Sequence, residues 1–149
     1  MSLCQIIWIS EAVKNFSQEE LVSLLTKSRS NNVRHDVTGL LLYHRQSFMQ
    51  FMEGESGIVS TIFENRIKPS RLHRTVTLLL KTEIPARIFA TWSMGFMTGD
   101  HALAQSVPGF HDFLETQRSF LDLAGDDVRV KKLIDGFHSG LWHLHPETP

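Results

Sequence analysis

The stretch SFMQFMEGE, residues 47–55, sets an amide among apolar side chains. Read as a strand, it alternates: Phe48, Gln50 and Met52 share one face, and Met49, Phe51 and Glu53 the other. Gln50 therefore falls on an apolar face, with a donor and an acceptor in a single group. Taken alone it is an ordinary buried amide bonded to a backbone group. Asn31 and Asn32 add two more amides at the end of a helical pattern, where by themselves they read as a helix stop. Trp92 and Met94 share one face of a later strand and by themselves read as core. Arg29 and Arg66 are read with equal weight as solvated charges or as phosphate contacts.

Other chemistries are poorly supplied. The chain has eight histidines, but His143 and His145 lie in the tail beside Pro146, with no cysteine near them. A zinc site needs about four ligands on folded elements, so no metal is expected. No nucleophile elbow accompanies a Ser-His-Asp set. Glu53 and Glu55 sit at a strand end and read as a solvated rim rather than an acid–base pair. The chain is expected not to be an enzyme.

Stepping outward from these residues, 149 positions make one domain, or one domain with a small appendage. A chain of that length buries about 70% of its unfolded surface, enough for a core without staples. The 42% hydrophobic and 21% charged content is that of a soluble globular protein. With 15 basic and 16 acidic residues the net charge is −1, which argues against a nucleic-acid partner. A single cysteine, Cys4, cannot form an internal disulfide, and no run approaches ~20 apolar residues. A cytoplasmic protein with no membrane partner is expected.

The elements that must position the amides follow from periodicity. Residues 3–10, LCQIIWIS, read as a strand apolar on both faces. Residues 17–32 read as a helix opened by a Ser17–Glu20 capping box, with Leu21, Leu24, Leu25 and Ser28 on one stripe and Asn31–Asn32 at the exit. Residues 37–43 and 47–53 form two strands, and the polar break HRQS suits an antiparallel hairpin. Residues 56–68 are a second helix, followed by Pro69. Strands at 74–83 and 88–96 complete the order β-α-β-β-α-β-β. The expected class is α+β, a ferredoxin-like sandwich with two helices on one face of the sheet.

The other face of that sheet needs a cover. Residues 108–125 carry Phe110, Phe113, Leu114, Phe120 and Leu121 on one helical stripe. Residues 126–142 do the same with Val130, Leu133, Ile134, Phe137 and Leu141. These C-terminal helices are assigned to the back of the sheet or to a subunit interface.

Five segments in order carry a family resemblance: SRSNN, VTGLLLY, FMQFMEG, RLH and RIFATWSMGF. Over residues 3–98 the chain resembles the BLUF domains, flavin-binding sensors of blue light. The resemblance implies a flavin-binding domain at 1–100 and a C-terminal helical extension with a short tail at 101–149. It implies that the isoalloxazine ring lies between the two helices, in an apolar slot with a few placed polar groups. The cofactor-binding set it implies is Trp8, Ser28, Asn31, Asn32, Gln50, Asn65, Arg66 and Met94. FAD is the expected nucleotide, with FMN and riboflavin as alternatives.

In that family, light drives transfer of an electron and a proton from a Tyr to the flavin through the Gln. The Gln amide ends rotated or tautomerised, and the absorption shifts red. Trp8, Gln50, Trp92 and Met94 are the photoactive set the resemblance implies. This sequence departs from the pattern at Trp8, which stands in the family's Tyr position. A phenol donates and accepts hydrogen bonds, whereas an indole N–H only donates. Flavin binding is expected to survive and the reversible red shift to be altered, weakened or lost.

A second departure lies in FENRIKPSRLH. The family often has an Arg two residues after the helix aromatic and an Asp just before the R-x-H stretch; here Asn65 and Pro69 hold those places. The expected output is altered contact within a homo-oligomer, a dimer or larger ring, or with an unidentified downstream protein. A flavin-dependent redox enzyme and a light-insensitive, flavin-free regulatory module are the competing readings.

Overall fold

A computed structural model describes residues 2–89, the backbone of 95–98, and helical residues Lys132, Leu133, Gly136 and Phe137. Strand β1 spans Leu3–Ala12, helix α1 Gln18–His35, β2 Thr38–His44 and β3 Ser47–Glu55. Helix α2, Ser56–Ile62, runs on into a π turn at Phe63–Ile67, and strands β4, His73–Glu83, and β5, Gly95–Thr98, follow. The sheet order is β4-β1-β3-β2-β5. β3 is antiparallel to both β1 and β2, β4 is antiparallel to β1, and β5 is parallel to β2. This is the expected ferredoxin-like sandwich: two split β-α-β units interleave, each inserting a strand between the two strands of the other.

Local signals explain most element ends. The capping box opens α1: the Ser17 hydroxyl accepts from the Glu20 N–H, and the Glu20 carboxylate accepts from the Ser17 N–H. Helix α1 does not stop at Asn31–Asn32 as expected. It continues to His35, because Asp36 takes the left-handed cap at φ 55°. Both asparagines are therefore held within helix rather than at a fraying exit. The β2–β3 hairpin turns on Arg45 and Gln46, both with positive φ, as a two-residue turn between right-twisted strands requires.

Alternation in β1–β3 separates two apolar clusters. Ile6, Trp8, Leu41, Phe48 and Met52 pack under α1 and α2 with Leu21, Leu25, Val59 and Phe63. Ile7, Ile9, Leu40, Leu42, Met49 and Phe51 form the back cluster, with Phe89 and Phe137 buried among them and Leu133 packed alongside. Leu133 and Phe137 thus pack on the back of the sheet, one of the two places expected for their helix. The segment 108–125 lies outside the described residues.

Two expectations are corrected on this back face. Ile88 and Phe89 do not begin a strand: they lie in a bend, and their N–H groups point to the Glu53 carboxylate rather than to a neighbouring strand. Glu53 itself is no solvated rim. It is 0% exposed, since those N–H groups and the Gln5 amide give its oxygens the partners that burial demands. Glu55 instead caps α2, accepting from the Gly57 and Ile58 N–H groups.

Gly39 is fixed by contact. A Cβ there would lie 1.9 Å from the Phe51 carbonyl oxygen, so no side chain fits between β2 and β3 at that point.

Candidate functional site

Trp8 and Gln50 are direct partners across the β1–β3 ladder and point to the helix side of the sheet. Above them is a cavity of about 190 Å³ bounded by the sheet, α1 and the α2–π-turn segment. Leu24, Leu41, Phe48, Met52, Ile62, Ile67 and Leu72 supply its apolar walls. Ser28, Asn31 and Asn32 reach it from the last turns of α1, Gln50 from the sheet, and Ser70 and His73 from the entry to β4. Lys27 and Arg66, both exposed, stand on its lining from opposite helices.

Of the residues expected at a flavin site, Trp8, Ser28, Asn31, Asn32, Gln50 and Arg66 line this one cavity. Asn65 is exposed and is not part of the lining. It follows buried Phe63 by two positions, which puts it on the opposite side of the turn. Trp92 and Met94 lie outside the described residues.

The polar atoms are unevenly satisfied. Asn32 and Gln50 are 4% and 5% exposed. The Trp8 indole N–H is buried without a hydrogen-bond partner, at a residue only 2% exposed. Such an orphaned donor is costly. The strand opposite is irregular at this point: Ile7 pairs with Leu80 but Trp8 with Leu78, so Leu79 is an extra residue in β4. A bulge beside a site re-aims the side chains around it.

His73, like Lys27 and Ser70, is a cavity residue that sequence reasoning did not single out. Its ring stands edge-on to Trp8 at 5.2 Å and to Phe48 at 5.6 Å, and its Nδ1 is 2.6 Å from the Ser10 hydroxyl. Burial lowers its pKa to about 4, so the ring is neutral at ordinary pH. The RLH segment marked the neighbourhood, but a His at the start of a strand gives no sign of which way it faces. The single tyrosine of the chain, Tyr43, does not line the cavity. Its hydroxyl accepts from the Phe16 N–H at 2.9 Å, and its ring lies 4.9 Å from that of Phe48.

A mostly apolar slot with three amides on its lining and two exposed cations beside it suits a flat heterocycle with a polar edge and an anionic tail. The class this defines is a flavin-binding α+β sandwich. The family model for BLUF, "Sensors of blue-light using FAD", matches residues 3–95, and the chain belongs to that family.

Among curated proteins, the photoactivated adenylate cyclase subunit alpha of Euglena gracilis is 25% identical over 122 residues, which are 81% of this chain and 12% of that protein. The beta subunit from the same organism is 24% identical over 124 residues, 82% of this chain and 14% of that protein. The chain spans only 12% to 14% of the length of these relatives. Among solved structures, the BLUF domain of BlrP1 matches with a TM-score of 0.73 and 19% identity, over 100% of this chain and 98% of that one. BlsA in its photo-activated state matches with a TM-score of 0.65 and 21% identity, over 99% of each chain. Both structural likenesses speak to the fold.

Proposed function

We propose that this chain senses blue light through a flavin held in the cavity over Trp8 and Gln50, and passes the signal by contact rather than by turnover. The observation that carries the reading is the convergence of Gln50, Asn31 and Asn32, from two different elements, on one apolar cavity beside Trp8. Bound flavin supplies the blue absorption and accepts an electron. Gln50 and the two asparagines hold the polar edge of the ring, and the apolar walls exclude water from it. Lys27 and Arg66 at the rim favour a phosphorylated flavin, FMN or FAD, over riboflavin.

Trp8 sets the character of the response. Its N–H can donate to the Gln50 oxygen but cannot accept from the Gln50 NH₂. It therefore biases the amide toward one orientation and leaves no phenol in the cavity to shuttle a proton. The red shift is accordingly altered or lost. Trp92 and Met94 remain the residues proposed to pass the change onward. The output is exchanged within a homo-oligomer or with a separate protein, in the cytoplasm, and no catalysis is assigned to the chain itself.

The test is an absorption spectrum of the purified protein in the dark and under blue light. A bound-flavin spectrum with a shift different from that of Trp8→Tyr supports the reading. A preparation that takes up no added flavin overturns it. It would favour a light-insensitive regulatory module, a reading the indole at position 8 also suits.

A further inference from the structure

On the back of the sheet, away from the cavity, Glu53 accepts hydrogen bonds from three consecutive residues, Arg87, Ile88 and Phe89. The Glu53 carboxylate accepts from the Phe89 N–H at 2.8 Å on one oxygen, and from the Ile88 N–H at 3.1 Å and the Gln5 amide at 2.9 Å on the other. The Arg87 guanidinium donates to the Glu53 backbone carbonyl at 3.0 Å. The same guanidinium reaches the Thr38 hydroxyl at 2.9 Å, the Asp36 carbonyl at 2.7 Å and the Asp36 carboxylate at 3.2 Å.

These partners are not scattered. Glu53 lies three residues beyond Gln50 on β3. Asp36 is the cap of α1, the helix that carries Asn31 and Asn32. Ile88 and Phe89 lead toward β5, and the Phe89 ring sits 5.4 Å from Phe51, in the cluster that also holds Phe137. We propose that Glu53 and Arg87 form a clasp that makes the segment entering β5 move with the two cavity-bearing elements, so that the state of the cavity reaches the back of the sheet. The inference rests on the cavity holding a flavin. It assigns Glu53 and Arg87 as positioning residues, with no contact to the ring.

A buried carboxylate with three donors is a rigid tie, since each lost partner strands a polar group. Two discrete arrangements of such a tie are the physical requirement for coupling between sites. Burial pushes the Glu53 carboxyl up from its ordinary value, while the Phe89 and Ile88 N–H groups, the Gln5 amide and Arg87 hold it down.

The test is amide hydrogen exchange at Ile88 and Phe89, with and without FMN, in the wild-type chain, Glu53→Gln and Arg87→Gln. Glu53→Gln keeps the size but leaves one acceptor oxygen for three donors. The expected result is exchange about tenfold faster at both amides in Glu53→Gln. The wild type should change exchange there on taking up FMN, and both variants should take up FMN but lose that response. Circular dichroism confirms the fold, and Arg87→Gln, at a partly exposed site, serves if Glu53→Gln does not fold. Unchanged exchange in the variants, or a full response to FMN in both, overturns the clasp. A wild type whose absorbance reports no bound FMN defeats the reading of the cavity instead, and the FMN-free rates then decide the clasp alone.

Discussion

Trp8 and Gln50 face each other across β1 and β3, and the indole N–H of the first is buried without a partner. In this family the residue opposite the glutamine is expected to be a phenol. Trp8→Tyr should therefore give the flavin-loaded protein a larger reversible red shift than the wild type. The smaller ring should cost about 1–2 kcal/mol of stability. Difference spectra under blue light check the first, and urea unfolding the second. Equal spectra would mean that position 8 does not govern the amide.

Lys27 and Arg66 are exposed, so each contributes little by itself. Together, Lys27→Ala and Arg66→Ala should weaken FMN binding by about three- to tenfold and leave riboflavin binding unchanged. Fluorescence titration with the two flavins reads the ratio. Equal losses for both would show that the rim cations do not meet the phosphate.

Gly39→Ala should cost about 3 kcal/mol or more, since its methyl group would meet the Phe51 carbonyl oxygen at 1.9 Å. Gly54→Ala is the milder comparison. Its nearest neighbour is a Val59 methyl at 3.1 Å, the end of a side chain. Urea midpoints of the two variants should differ in that order.

His73 predicts an acid-labile fold. Its pKa is about 4 when folded and 6.5 when unfolded. Between those values the unfolded chain holds the proton and the folded chain does not, so stability rises with pH through the window and is lost as pH falls. The loss is complete below the folded value, at most about 3 kcal/mol. Glu53 acts in the opposite sense: its upward shift is a cost of burial present at high pH and relieved as pH falls through its folded value. Unfolding measured from pH 7 to 4.5 should show a shallower acid slope in His73→Phe than in the wild type.

What the sequence made legible was local. Alternation placed Gln50 on an apolar face, the family resemblance tied Trp8 to it, the Ser17–Glu20 spacing opened α1, and the order of strands and helices defined the sandwich. The rest depended on distant partners. Glu53 looked solvated because its donors at Ile88 and Phe89 arrive 35 and 36 residues later in the chain. The run Leu78–Leu79–Leu80 fits either register, so only pairing with β1 exposes the bulge beside Trp8. His73 could not be assigned a face until that strand's register was known.

The π turn at Phe63–Ile67 closes on a Lys68 N–H donated to the Phe63 carbonyl, five residues back. Such a turn is an ordinary helical turn with one residue too many. The chain can therefore lose a single residue here and still wind as a plain α-helix. A deletion inside α2 proper would instead rotate Val59 and Ile62 off the sheet. The loop that delivers Ser70, Leu72 and His73 to the cavity thus has a built-in allowance for length, and natural or designed variation in residue number should be tolerated first at 64–65, short of Arg66.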